Sequence, residues 1–160
     1  MLVTVLFLLI AVLLVVAAFY WRAQKRPVRR LPFAQAKRRF HTERERLEAK
    51  FITLAAARLG PDAPSWADCN FADDVAYVRS RRTGELSAFV ALTIATEDSD
   101  TSVAGVSDAV GNLQAGTAVF RLDGDHWVTD GRTLLNLSPS EAVYRFRGDL
   151  EIVGEEFAHR

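Results

Sequence analysis

Twenty consecutive residues near the start of the chain, Leu2 to Trp21, contain no charged side chain and a single short polar one, Thr4. As a helix such a run is about 30 Å long, which matches the hydrocarbon thickness of a bilayer. A segment of this kind is expected to be a transmembrane anchor, here residues 1–21. Phe19, Tyr20 and Trp21 close it with aromatics suited to the headgroup level, and Arg22, Lys25, Arg26, Arg29 and Arg30 follow at once. Positive residues flanking a span stay on the cytoplasmic side. The expected topology is N-terminus out with a cytoplasmic C-terminal domain, as a single-pass protein of a bacterial inner membrane.

A cleaved secretory signal would need basic residues ahead of the apolar stretch, a shorter stretch of about 7–15 residues and a small-x-small cleavage site. The run has no preceding Lys or Arg and ends in Phe-Tyr-Trp, with Ala17 and Ala18 the only small pair near its end. An uncleaved anchor is the better reading. No GxxxG pattern supports a specific transmembrane dimer.

Beyond the anchor, the chain is about the size of one globular domain. With 49% hydrophobic and 25% charged residues overall, it has the composition of a folding chain rather than a disordered one. The formal net charge is zero, yet residues 22–50 carry eleven Lys or Arg against three Glu, and the remainder carries nine against seventeen Asp or Glu. A basic segment therefore adjoins an acidic one, and the two suit different partners. The single cysteine, Cys69, allows no intramolecular disulfide and no multi-cysteine metal site.

Pro27 and Pro32 bracket the juxtamembrane linker, residues 22–32, and break helical continuity with the span. The cytoplasmic domain is expected to occupy residues 33–160. Phe33, Phe40, Leu47 and Leu54 recur every seven residues, joined by Ala36, Phe51 and Ala57, which predicts a long amphipathic helix stopped by Gly60-Pro61. Lys37, Arg38, Arg44, Glu45 and Arg46 are expected on its polar face, with Arg39–Glu43 and Arg44–Glu48 at the spacing of helical ion pairs.

Residues 61–73 read as a turn-rich entry. Alternation from Val75 to Ser80 and a β-rich run from Leu86 to Thr96, separated by Arg82-Thr83-Gly84-Glu85, predict a hairpin. Residues 97–116 form an acidic, small-residue stretch with a short helix expected near Ser107–Leu113. Thr117–Leu122, His126–Thr129 and Thr133–Leu137, divided by Asp123-Gly124 and Asp130-Gly131, predict a meander of three short strands. Ser138-Pro139-Ser140-Glu141 has the form of a capping box, and Ala142, Val143, Phe146, Leu150, Val153 and Phe157 continue at helical spacing, interrupted at Gly148-Asp149.

The expected fold class is α+β: the N-terminal transmembrane helix, then a long amphipathic helix, an antiparallel sheet of four to five strands and a C-terminal helix, with helices covering one face of the sheet. In order of elements this resembles cystatin-like and nuclear-transport-factor-2-like domains. Such an order carries no function by itself.

No catalytic, cofactor or metal residues are expected. Cys69 lacks a family-like flanking pattern, the histidines are only His41, His126 and His159, and no G-x-S-x-G, G-x-x-x-x-G-K or G-x-G-x-x-G is present. Asp98 with Asp100, and Asp123 with Asp125, offer too few ligands for a calcium or magnesium shell. Asp68, Asp73, Asp74 and Asp130 could supply an acid/base pair only if folding brought two into one cleft. The basic segment makes anionic lipid headgroups the nearest partner, with Arg22, Lys25, Arg26, Arg29, Arg30, Lys37 and Arg38 as candidate contacts and no nucleic acid expected. The functional expectation is a non-enzymatic, membrane-anchored domain for protein interaction, self-association or scaffolding at the inner surface. The alternative is a small-molecule-binding or catalytic pocket between a curved sheet and the long helix.

Overall fold

The computed structural model describes residues 31–59, 69–96 and 112–157. The expected anchor and most of its linker, Trp66, the acidic segment with its short helix as far as Gly111, and His159 lie outside these residues. Among the described residues no helix is long and apolar enough to cross a membrane.

Helix α1 (Phe33–Leu59) is followed by strands β1 (Cys69–Ser80), β2 (Leu86–Thr96), β3 (Asn112–Asp123), β4 (His126–Val128) and β5 (Thr133–Leu135), helix α2 (Pro139–Arg145) and strand β6 (Leu150–Glu156). The domain is α+β, built on one antiparallel six-stranded sheet in the order β4-β3-β2-β1-β6, with β5 also paired to β3.

The heptad-spaced apolar residues do make one face of α1. Phe40, Leu47 and Phe51 are buried, with Ala36 and Ala55, against Tyr77, Val90, Leu92, Ile94, Phe120 and Trp127. Ala57, expected on that seam, is exposed, because at helical spacing it is Ala55, four residues after Phe51, that takes the inward position. Aromatic rings fill the layer between helix and sheet. Phe40 meets Trp127, Phe120 and Tyr77 edge-on at centroid distances of 5.0, 5.6 and 5.9 Å. Offset and edge-on packing of this kind is favoured by the ring quadrupole. Trp127 closes this core, and its indole N–H is satisfied by donating to the carbonyl of Ala36 at 2.8 Å.

The hairpin β1–β2 forms as expected but starts earlier, since residues 69–73, read as part of the turn-rich entry, already pair with β2. Between Phe71 and Val75 two extra residues leave the ladder as a bulge. Arg44 of α1 caps it, donating to the Ala72 carbonyl at 2.6 Å and to Asp73 at 3.3 Å. A bulge frees backbone groups that need another partner, and a helix arginine supplies it.

Four expectations are corrected. The C-terminal segment from Leu150 is a strand, not a helix: Gly148 and Asp149 turn the chain, and the backbone of 150–156 completes the open edge of β1. Ladder hydrogen bonds with β1 outweigh the helical spacing of Leu150, Val153 and Phe157. The two helices cover opposite faces. Ala142 and Val143 of α2 pack with Ala76, Val78, Phe89 and Val119, the side chains that alternate away from α1.

The third correction concerns the meander, because β4 and β5 do not pair with each other. Both run along β3, β4 opposite Arg121–Asp123 and β5 opposite Gly116–Ala118. Asp130-Gly131 therefore interrupts one edge rather than reversing the chain. Gly131 has φ +72°, and a Cβ there would stand 2.5 Å from the Ala55 amide nitrogen, so only glycine lets α1 approach this edge. The true reversal is one residue later than the Asp123-Gly124 signal: Asp123 pairs with His126, and Gly124 takes the first central position with φ +64°.

The fourth correction is that Asn112 and Leu113, placed in the expected short helix, begin β3. The capping box forms as read: the Glu141 amide donates to Ser138 Oγ at 3.3 Å and the Ser138 amide to Glu141 Oε2 at 2.8 Å.

Candidate functional site

The densest polar cluster lies where the first turns of α1 cross β1 and β6. Glu156 ends β6 on the face toward α1, opposite Val75 of β1. Its carboxylate receives Lys37 Nζ at 2.6 Å, the Tyr77 hydroxyl at 2.9 Å and His41 Nε2 at 2.9 Å. Lys37 and His41 stand one helical turn apart, so both project from the same side of α1. An inserted residue at Val153, between the Tyr77 and Val78 registers, bends β6 and turns Val153 toward the core. Gly154 leaves room for the Phe33 ring, which packs edge-on against Tyr77 at 5.4 Å.

Partial burial pushes the Glu156 carboxyl up, but the hydrogen bonds from Lys37 and Tyr77 and the nearby charges outweigh it and hold the group below the usual carboxylate range. Burial, then the hydrogen bond to Glu156, pushes the Tyr77 phenol far above its ordinary value. A tyrosine held that firmly in its neutral form donates to the carboxylate and is not a base. The cluster is a clasp that ties β6 to α1, and its three donors are already spent on one acceptor.

The same pattern recurs along α1. Arg39 reaches Asp125 at 3.3 Å, Arg44 reaches Asp73 at 3.3 Å and Arg58 reaches Asp130 at 3.7 Å. The helix pairs Arg39–Glu43 (3.0 Å) and Arg44–Glu48 (2.7 Å) form as the spacing implies. The division between basic and acidic segments is thus partly consumed inside the domain, where the cations of α1 lie over the acids of the sheet. Lys37, a candidate lipid contact, is committed to Glu156, while Arg38 is exposed and has no ion pair among the described residues. Arg22, Lys25, Arg26, Arg29 and Arg30 fall outside the described residues.

The sequence offered no sign of convergence on Glu156, because its partners come from positions 37, 41 and 77. The one legible hint was the i, i+4 pair of Lys37 and His41.

The other candidates do not assemble. Cys69 pairs with Ile94 at one end of the sheet and His126 with Asp123 at the other; the steps from Gln114, opposite Ile94, to Asp123 span about 30 Å of strand. Burial pushes the Cys69 thiol up to about 11, the reverse of what a nucleophile needs. Asp73 and Asp130 pair with different cations of α1. Asp125 is held by His126 and Arg39, which lower its carboxyl below the usual range. Among the described residues no group of three or more His, Cys, Asp or Glu could hold a metal ion. Asp98 and Asp100 lie outside them.

No family model matches the chain, and no curated protein or solved structure matches it either.

Proposed function

We propose that the chain is a membrane-tethered, non-enzymatic domain that binds a protein partner along the β6 edge of its sheet. The observation that carries this reading is the contrast between a core packed with aromatic rings and a free edge that exposes two large apolar residues among its glutamates. Strand β6 terminates the sheet, and among the described residues nothing pairs with its outer side. Ile152 is 51% exposed on it and Phe157, just beyond it, is 58% exposed. An edge strand with exposed apolar residues is a template for strand addition by another chain.

One self-paired register is disfavoured. In an antiparallel self-pairing centred on Val153, Glu151 would face Glu155 twice, and like charges directly opposite are unfavourable. A partner strand with basic residues at those positions and an apolar one opposite Ile152 fits better. The tether is the Leu2–Trp21 run, read from sequence alone, with the basic linker against the inner surface.

Photocrosslinking of the full chain in its native membrane tests the reading. A benzophenone side chain at position 152 or 157 is expected to give a discrete protein adduct, lost on Ile152→Lys in the 157 probe, while a probe at exposed Thr42 gives none. Equal labelling at all three positions, or lipid adducts only, would contradict it.

A further inference from the structure

The domain carries a second basic surface, made of residues far apart in sequence. The β1–β2 turn and the corner between α2 and β6 adjoin at one end of the sheet: the Arg81 amide donates to the Asp149 carbonyl at 2.8 Å, and Arg81 Nε to the Leu150 carbonyl at 3.2 Å. Arg81 and Arg82 project from the turn, Arg145 and Arg147 from the corner, and all four are exposed. Most arginines of α1 are bound to carboxylates, whereas none of these four has an ion pair among the described residues. Tyr144, 68% exposed, lies beside them with the Arg147 guanidinium 4.5 Å above its ring. Of the nearby acids, Glu85 is taken by Arg121 and Glu141 by Ser138, while Asp149 and Glu151 are exposed.

We infer that Arg81, Arg82, Arg145 and Arg147, with Tyr144 between headgroup and water, dock this end of the domain on an anionic lipid surface. The inference rests on the tethered reading above and adds contacts that the linker does not supply. Guanidinium groups pair with phosphate oxygens in a planar fork, and an exposed tyrosine suits the interface because its ring is apolar and its hydroxyl wet. Each basic residue close to an anionic leaflet favours contact about fivefold, so four make the docked state dominant.

The test uses the full chain with Cys69→Ala, in nanodiscs of either phosphatidylcholine or a phosphatidylglycerol mixture. A thiol is placed at Gly148→Cys, where a side chain meets nothing within 4 Å, and at Leu113→Cys, which is 72% exposed near the opposite end of the sheet. Modification by a bulky uncharged maleimide is expected to be roughly tenfold slower at position 148 in the anionic discs and equal in both at position 113. The difference should vanish when Arg82, Arg145 and Arg147 are all replaced by Glu.

Equal rates at position 148 in the two lipids would overturn the inference, as would a difference that survives charge reversal. Protection by added RNA but not by lipid would overturn it too. Carbonate extraction reads the tether separately: release of the chain defeats the tethered reading, and the ratio at position 148 is then measured with the chain mixed with the discs.

Discussion

The two faces of the sheet are covered very differently. On one, the 27-residue α1 lies over a core that includes Trp127, Tyr77, Phe40, Phe51 and Phe120, all fully or almost fully buried. On the other, the seven-residue α2 covers a small cluster of Ala76, Val78, Phe89, Val119, Ala142 and Val143. Burial of apolar area is the main favourable term in folding, so the α1 face carries most of the stability. The sparsely covered face and the adjoining β6 edge are where Tyr144, Ile152, Arg81, Arg82, Arg145 and Arg147 stand. On the proposed reading, stability and recognition are separated to opposite sides of one sheet.

The largest effect that could break this comparison is at the centre of the α1 face. Phe40→Ala should cost about 3–5 kcal/mol, read as a lower denaturant midpoint for the detergent-solubilised full chain. Gly131→Ala comes next, at about 2–4 kcal/mol, because the new Cβ must push α1 off the edge in a left-handed backbone conformation. Thermal unfolding followed by circular dichroism would measure it, with the α1 signal lost at lower temperature. Val143→Ala, on the lightly covered face, should cost only about 1.5–2 kcal/mol and leave the Trp127 fluorescence maximum in place. If Val143→Ala cost as much as Phe40→Ala, the asymmetry of the faces would be refuted.

Glu156→Gln sharpens the account where β6 meets α1. Loss of its charged hydrogen bonds should cost about 1–2 kcal/mol at neutral pH, allowing for partial exposure. The carboxyl is held below its ordinary value in the folded protein. Its contribution is therefore present above the unfolded-state pKa and fades as pH falls through the lower native value. Midpoints of wild type and Glu156→Gln should differ at pH 7 and converge as the pH falls through the lowered native value of the carboxyl.

What was legible in the sequence were the features in which neighbours decide structure. The seam of α1 follows from residues seven apart, the β1–β2 hairpin from alternation and its turn, and the start of α2 from Ser138 and Glu141, whose capping bonds are local. What was not legible depended on distant partners. Strand β6 has a helix-like spacing that yields to pairing with β1, some 75 residues earlier. Gly131 looked like a second hairpin turn and is instead the close approach of α1. Glu156 gained its meaning only when Lys37, His41 and Tyr77 arrived from two other elements. The arginine end shows the same limit, since Arg82 and Arg147 share no local pattern.

The central proposal, read from the sequence, is that an uncleaved N-terminal span holds this domain at the inner face of a membrane. Its most direct test is protease accessibility of the full chain, tagged after Arg160, in intact spheroplasts and in lysed ones, with carbonate extraction alongside. The account predicts a tag protected until lysis, a chain of full length and retention in the carbonate pellet. A tag cleaved from the outside, or a chain shortened near Ala18 and released by carbonate, would contradict it.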